Sequence, residues 1–368
     1  MTSPGLYIHI PFCEKKCPFC SFAVVVGQEH RIDEYLMQLS REAECYRGTD
    51  ISTVYIGGGT PSLLSVGQIQ TLRVIVRENF RLEDHAEMSF ECNPESVTEE
   101  KAVALNAFGI NRMSLGVQSM KSRNLEYLSR PHRSEDAGRA FAILRSAGFD
   151  NVSLDFIYGL PGQTAAELAA DLDQVLEFGS EHLSVYSLTI EERSLFFARK
   201  VKASEAADPD LYSLVCSRAE AAGLIQYEVS NFARPGRESR HNLNYWEGGD
   251  YIGLGMAAHS HLHGERFWNA DTLPQYLKLM ADKKDAAIGR EKLGPHEKLV
   301  ETFLFGLRMN RGVDLSALEG KYQSEFSADR KEALENFIEM GLLEEAGQFV
   351  RATKRGRAVL DEISARLI

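Results

Sequence analysis

Three cysteines fall within eight residues near the start of the chain, in the string Ile10-Pro11-Phe12-Cys13-Glu14-Lys15-Lys16-Cys17-Pro18-Phe19-Cys20-Ser21-Phe22. Thiolates are the usual ligands of iron–sulfur clusters, and C-x3-C-x2-C spacing lets one compact loop wrap three irons of a 4Fe–4S cubane on Cys13, Cys17 and Cys20. Three ligands for four irons leave one iron open. The competing readings are a structural zinc or three unrelated thiols. Structural zinc takes four ligands, and no fourth Cys or His lies in this loop. The other three cysteines carry no ligation: Cys45 and Cys216 fall in helical patterns and Cys92 on an apolar strand face, where a free thiol behaves as a small hydrophobe.

A cluster loop needs rigid elements beneath it. Short β-rich runs alternate with helical runs six times, with strands expected at Leu6–Ile10, Thr53–Ile56, Glu87–Cys92, Arg112–Val117, Asn151–Ile157 and Leu183–Leu188. Between them, apolar residues recur at helical spacing, as in Tyr35, Leu36, Leu39 and Ala43, and Gly109 and Gly148 suit helix C-termini. Repeated βα units imply a parallel sheet with right-handed crossovers. A doubly wound sheet would show nearly continuous apolar strands. Here Glu87, Ser89 and Glu91 alternate with Met88, Phe90 and Cys92; Arg112, Ser114, Gly116 and Gln118 alternate with Met113, Leu115 and Val117. Polar inside and apolar outside imply a curved, partly closed α/β barrel with its chemistry at the C-terminal strand ends.

Residues 1–190 therefore read as a partial (β/α)6 barrel core with the cluster loop at 10–22. Residues 191–290 read as a looser extension containing the Gly-rich stretch Glu247 to Gly255. Residues 291–368 return to helices, then two short β-like pieces, in the order of a winged-helix-like α+β domain. That tail carries 12 Lys/Arg against 14 Asp/Glu, which argues against a DNA-binding role.

The formal net charge of −12 repels phosphate backbones, so no nucleic acid partner is expected. No stretch approaches the ~20 apolar residues of a membrane span, and no signal-peptide pattern opens the chain. A cytoplasmic protein is expected, where clustered cysteines favour a metal over disulfides.

The cysteine loop after the first strand, with Gly57-Gly58-Gly59-Thr60-Pro61 after the second, resembles the radical S-adenosylmethionine (radical-SAM) superfamily, and within it the coproporphyrinogen-oxidase-like group. The open iron would then bind the amino and carboxylate groups of S-adenosylmethionine and send one electron into its sulfonium, giving a 5′-deoxyadenosyl radical. The resemblance implies that Gly58, Gly59 and Thr60 let the backbone approach the cofactor's amino group. It further implies cofactor contacts for Glu91, Gln118 and Arg130, a ribose-binding role for Asp155, and positions beside the cluster for Tyr7 and Phe19. Read singly, each of Glu91, Gln118, Arg130 and Asp155 is equally a polar residue filling a barrel. Their shared position at strand ends favours the functional reading.

The porphyrinogen-decarboxylating members carry a fourth cysteine where this chain has Phe22. Cys20-Ser21-Phe22 instead resembles the HemW branch, haem chaperones that deliver haem to acceptor proteins. His241-Asn242-Leu243-Asn244-Tyr245-Trp246 matches that branch's HNxxYW motif, and Gly253 to His259 is also typical of it. The resemblance makes His241 the first candidate haem ligand, with His259, His261 and His263 as alternatives and Tyr245 and Trp246 stacking on the porphyrin. A plain alternative is a His–Asn pair bonding backbone, with Trp246 in a core. Haem, an unidentified haem-acceptor protein and an electron donor such as flavodoxin or ferredoxin are the implied partners. An oxygen-independent coproporphyrinogen III oxidase or a haem-modifying enzyme stays open as an alternative, and no residue is assigned a catalytic role.

Overall fold

The computed structural model describes residues 3–201, 209–283 and 285–368. Strands β1 (Gly5–Ile10), β2 (Thr49–Gly58), β3 (Phe80–Cys92), β4 (Arg112–Gln118), β5 (Val152–Tyr158) and β6 (His182–Ser187) pair side by side in that order, all parallel. The six expected strands are present. Two are longer than the alternation suggested: Phe80–Leu82 already pairs with Thr49–Ile51, and pairing resumes at Thr53 opposite Glu87 after an excursion in which His85 takes φ 60°.

Helices α1 (Ile32–Ala43), α2 (Val66–Asn79), α3 (Glu99–Phe108), α4 (Ser122–Tyr127), α5 (Ser134–Ser146) and α6 (Ala165–Leu176) alternate with these strands. Their ends are written locally. Ser65 with Gln68 and Thr164 with Glu167 form capping boxes on α2 and α6, and α3 stops at Gly109 with φ 102°. The helical spacing in α1 becomes a buried stripe of Tyr35, Leu36, Leu39 and Ala43 against the sheet. The polar strand face is not a wet surface. Ser89, Ser114, Ser153 and Ser184 are all buried, so it faces an enclosed lumen.

The extension is more ordered than the sequence suggested. It contains α7 (Pro209–Ala221), β7 (Ile225–Gln226), β8 (Asn231–Ala233), α8 (Arg240–Trp246), β9 (Tyr251–Leu254), β10 (His259–Leu262), β11 (Glu265–Asn269), α9 (Leu273–Lys283) and β12 (Ala287–Lys292). Among the described residues these strands complete one twelve-stranded sheet, ordered β12-β11-β10-β9-β1-β2-β3-β4-β5-β6-β8-β7. β9 runs parallel to β1, with Gly5 opposite Tyr251. The seam beside it is pinned by a buried carboxylate. Glu42 of α1 accepts from Gly255 N at 2.8 Å, Asn269 Nδ2 at 2.6 Å and Tyr276 OH at 2.7 Å. Burial pushes this carboxyl up to about 7, against the pull of those three bonds.

The C-terminal part, α10 (Pro295–Gly306), α11 (Leu315–Tyr322), α12 (Ala328–Glu339), the antiparallel hairpin β13 (Leu343–Ala346) and β14 (Phe349–Ala352), and α13 (Leu360–Leu367), has the helix–helix–helix–hairpin order of a winged helix. It packs around its own apolar core, which includes Phe303, Phe337 and Ile363. Arg308 joins it to the barrel: its guanidinium lies 4.5 Å over the Trp246 ring and donates to the buried Glu228 at 3.2 Å. Among the described residues no helix is long and apolar enough to cross a membrane.

Candidate cluster and cofactor site

β1 ends at Ile10 and delivers the cysteine loop over the C-terminal ends of the strands. The loop is fastened by backbone: Val25 N donates to Pro11 O at 2.8 Å, Gly59 N to Ile10 O at 2.8 Å and Thr60 N to Phe12 O at 2.9 Å. Cys13 is buried, while Cys17 and Cys20 are half-buried. All three line one cavity of about 700 Å³ that reaches down the barrel.

Among the described residues no three His, Cys, Asp or Glu converge as a single metal ion would need. A cubane would take its thiolates on three different irons, whereas a structural zinc would ask for a fourth ligand beside them. Burial pushes the Cys13 thiol up to about 11, which Thr60 Oγ1, donating to its sulfur at 3.5 Å, opposes. Iron would remove those protons, because a coordinating thiol is deprotonated outright. Arg130 Nη1 donates to Cys17 Sγ at 3.4 Å and places a fixed positive charge beside the loop.

The glycine run has a reason different from the expected one. A Cβ on Gly57 would meet the Glu91 carboxyl at 2.8 Å, one on Gly58 the His9 ring at 2.5 Å, and one on Gly59 the Phe12 carbonyl at 2.7 Å. These glycines first admit the chain's own acid, imidazole and cluster loop. Gly58, Gly59 and Thr60 then border the cavity as expected.

Glu91, Gln118, Arg130, Asp155 and Phe19 all line the same cavity. Glu91 accepts from Tyr55 OH at 2.8 Å and Gly58 N at 3.0 Å. Burial, with Asp155 adding repulsion, holds its carboxyl near 7. Asp155 is likewise raised by burial, although Ser114 Oγ donates to both its oxygens at 3.0 and 2.8 Å. Gln118 sits where the strand turns sharply, with φ 66°. Phe19 packs against an apolar cluster that includes Leu128, Ile157 and Phe196. Cys92 is a buried thiol donating to Ser114 O at 3.4 Å.

Two expected contacts lie elsewhere. Tyr7 is not part of the cavity wall. Its hydroxyl bonds His9 Nδ1 at 3.0 Å and its ring stacks on Tyr55, while His9 Nε2 bonds Ala23 O at 3.0 Å. Tyr7 thus supports the cluster loop through a histidine that burial keeps neutral, down to about 4.

His241 is the clearer correction. It is 1% exposed, its Nδ1 lies 2.8 Å from Thr53 Oγ1, and its Nε2 lies 2.8 Å from Tyr245 OH. Its ring stacks on Tyr55. Neither nitrogen has a lone pair to spare, so as folded His241 cannot be an axial haem ligand. Instead α8 plugs the barrel floor: the N–H groups of Arg240 and His241 both donate to Glu87 at 3.0 Å, a carboxylate at a helix N-terminus. Tyr245 stands edge-on to His241 and Trp246 lies under Arg308, so neither presents an open face to a porphyrin.

The sequence reading missed Tyr55, Ser114 and Asn93 as members of the site. Asn93 Oδ1 accepts from Arg130 Nη2 at 2.6 Å and its Nδ2 donates to Thr60 Oγ1 at 3.3 Å, linking the two loops. Tyr55 was recoverable, because period two from Thr53 puts it in the lumen. Asn93 stood inside the string Glu91-Cys92-Asn93-Pro94, but no local pattern marks its long-range partners.

The chain resembles known proteins along most of its length. The radical SAM superfamily model matches residues 7–175, and the HemN C-terminal domain model matches residues 293–359. The chain is 35% identical over 367 residues to the heme chaperone HemW of Bacillus subtilis, covering 97% of each chain. It is 40% identical over 261 residues to the heme chaperone HemW of Escherichia coli, covering 69% of each. The structure of coproporphyrinogen III oxidase (HemN) from Escherichia coli, a radical SAM enzyme, matches with TM-score 0.87 at 27% identity, covering 99% of this chain and 90% of that one.

Proposed function

The chain belongs to the radical SAM superfamily and, within it, to the HemW family of haem chaperones, and from that premise we propose that it takes up haem and passes it to an acceptor protein. We assign the 4Fe–4S cluster to Cys13, Cys17 and Cys20 and S-adenosylmethionine to the cavity below them. The observation that carries this reading is the three thiols gathered at one cavity whose walls hold Glu91, Asp155 and Arg130. When bound, the cluster supplies single electrons to the cosubstrate's sulfonium.

The chain's own groups bind and orient. Glu91 offers an acceptor for the amino group, beside the glycine run. Asp155 offers two acceptor oxygens for the ribose hydroxyls, exchanging its bonds from Ser114. Arg130, already on Cys17, offsets the negative charge of the thiolates. Half-exposed Cys17 and Cys20, flanked by exposed Lys15, leave the loop's outer side open to an electron donor such as flavodoxin or ferredoxin.

The structural match to HemN favours a second reading, oxidative decarboxylation of a porphyrinogen. Phe22 argues against it. The side chain at that position is an apolar ring, 60% exposed at the cavity rim, with no metal-binding atom. The test is anaerobically reconstituted full chain titrated with haemin, followed by visible absorbance and by mass spectrometry of the pigment. Stable haem uptake without a change in haem mass is expected. Conversion of coproporphyrinogen to protoporphyrinogen with reductant and S-adenosylmethionine would refute the chaperone reading.

A further inference from the structure

An imidazole that takes haem iron needs a nitrogen nothing else uses and a surface that a flat macrocycle can reach. The chain has ten histidines. His9, His182 and His241 are buried with both nitrogens bonded. His132 is buried between Val117 O and Glu95, and His296 is held by Arg330 and Ser324. His261 turns Nδ1 toward Asp250 and its unpaired Nε2 is buried, out of a macrocycle's reach, while His263, also turned toward Asp250, sits on a turn with φ 53° and has no ring contact among the described residues. His30, His85 and His259 remain. His30 and His85 make no ring contact among the described residues, and His85 belongs to the β3 excursion at the floor end of the barrel.

His259 differs from both. It is exposed, makes no hydrogen bond among the described residues, and its ring lies beside Trp268 with centroids 6.0 Å apart and planes 23° from parallel. The register explains the pairing. His259, Trp268 and Gly289 stand opposite one another on β10, β11 and β12. The indole is seated over Gly289, where a Cβ would fall 2.2 Å from it. His261, two residues along the same face of β10, stands opposite Tyr251, and Tyr251 stands opposite Gly5 and then Thr53, two residues from Tyr55, so His259 lies on the lumen face of the sheet. Arg193, in the segment after β6 that also sends Glu191 to the cavity, reaches to 3.9 Å from Asp271, three residues beyond Trp268. Its side chain is 73% exposed.

We propose that His259 is the iron ligand for haem, with Trp268 fixing the imidazole plane and Arg193 taking a propionate. The assignment rests on the haem reading above. Trp268, 23° from parallel to the imidazole, would hold that ring in place where iron would be bound. The guanidinium is the group suited to a carboxylate at an exposed rim.

The test is haemin titrated into the full-length chain, read by the Soret band and the ligand-field bands. His259→Ala is expected to lose the nitrogen-ligated spectrum and weaken binding by at least about tenfold. His259→Met, which keeps a donor atom, should bind haemin with a displaced spectrum. Arg193→Ala should weaken binding with the wild-type spectrum retained, and His30→Ala should change nothing. A wild-type spectrum and affinity in both His259 variants would overturn the ligand assignment and leave the chaperone reading standing. Failure of the wild-type chain to take up haemin would overturn both.

Discussion

Gly59→Ala adds one carbon to the backbone that fastens the cluster loop. The new Cβ would sit 2.7 Å from Phe12 O and 2.8 Å from Pro11 C and O, where ordinary contact begins near 3.4 Å. These are backbone atoms, so no side-chain rotation relieves the clash. Overpacking of this kind costs about 1–3 kcal/mol. The displaced segment carries the bonds Gly59 N to Ile10 O and Thr60 N to Phe12 O, each contributing about 1 kcal/mol. The expected loss is therefore about 2–4 kcal/mol, together with a fall in iron per chain after anaerobic reconstitution. Gly67→Ala is the matched control. Gly67 lies in α2 with its nearest outside atom, Ser65 Oγ, at 3.9 Å, and alanine there should hold or raise stability by up to ~1 kcal/mol. Urea midpoints of the cluster-free proteins and iron content of the reconstituted ones give both readouts. Wild-type midpoint and iron content in Gly59→Ala would refute the claim that this glycine exists to admit the cluster loop.

Glu42 gives a pH prediction. Its carboxyl is raised from 4.5 to about 7 by burial, so the folded chain keeps a proton that the unfolded chain releases. Its contribution is complete below pH 4.5 and declines by roughly 3 kcal/mol as pH rises to about 7. Glu42→Gln should flatten that slope in urea midpoints taken across this range, while losing ~1–3 kcal/mol because its amide faces donors; an unchanged slope would defeat the argument. His241→Ala should lower stability by about 2–4 kcal/mol, since it empties the barrel floor and orphans the Thr53 and Tyr245 hydroxyls. Its folded fraction should still bind haemin, and selective loss of haem from a fully stable variant would restore His241 as the ligand. Asp155→Asn should weaken S-adenosylmethionine binding by about tenfold in calorimetry on reconstituted protein, and unaltered affinity would remove Asp155 from the ribose site.

What was legible in the sequence was what short range encodes. The alternation Glu87 to Cys92 and Arg112 to Gln118 and the glycines Gly109 and Gly148 after two helices each carry their signal within a few residues, and each appears in the structure. The winged-helix order was legible for the same reason. β9 to β12 were not, because strands of four to six residues broken by glycines and turns show no usable period. His241 misled for a different reason. Its residue type suits a metal, but its occupation is decided by Thr53, 188 positions away. The glycine run was placed correctly and explained incompletely, since what a missing Cβ admits depends on which atoms the fold brings there.

β1 lies between β2 and β9, so the strand that launches the cysteine loop is completed by a partner made far later in synthesis. At about 5–20 residues per second, Tyr251 follows Gly5 by roughly 10–50 seconds. Throughout that interval a growing chain exposes one bare hydrogen-bonding rim on its first strand, the kind of edge that recruits other chains. Iron delivered before the ribosome has passed β9 meets an unfinished wall. Maturation of the metal centre would thus wait until about two thirds of the chain has been made, and a nascent-chain series with residue 254 held inside or outside the ribosome would show the threshold.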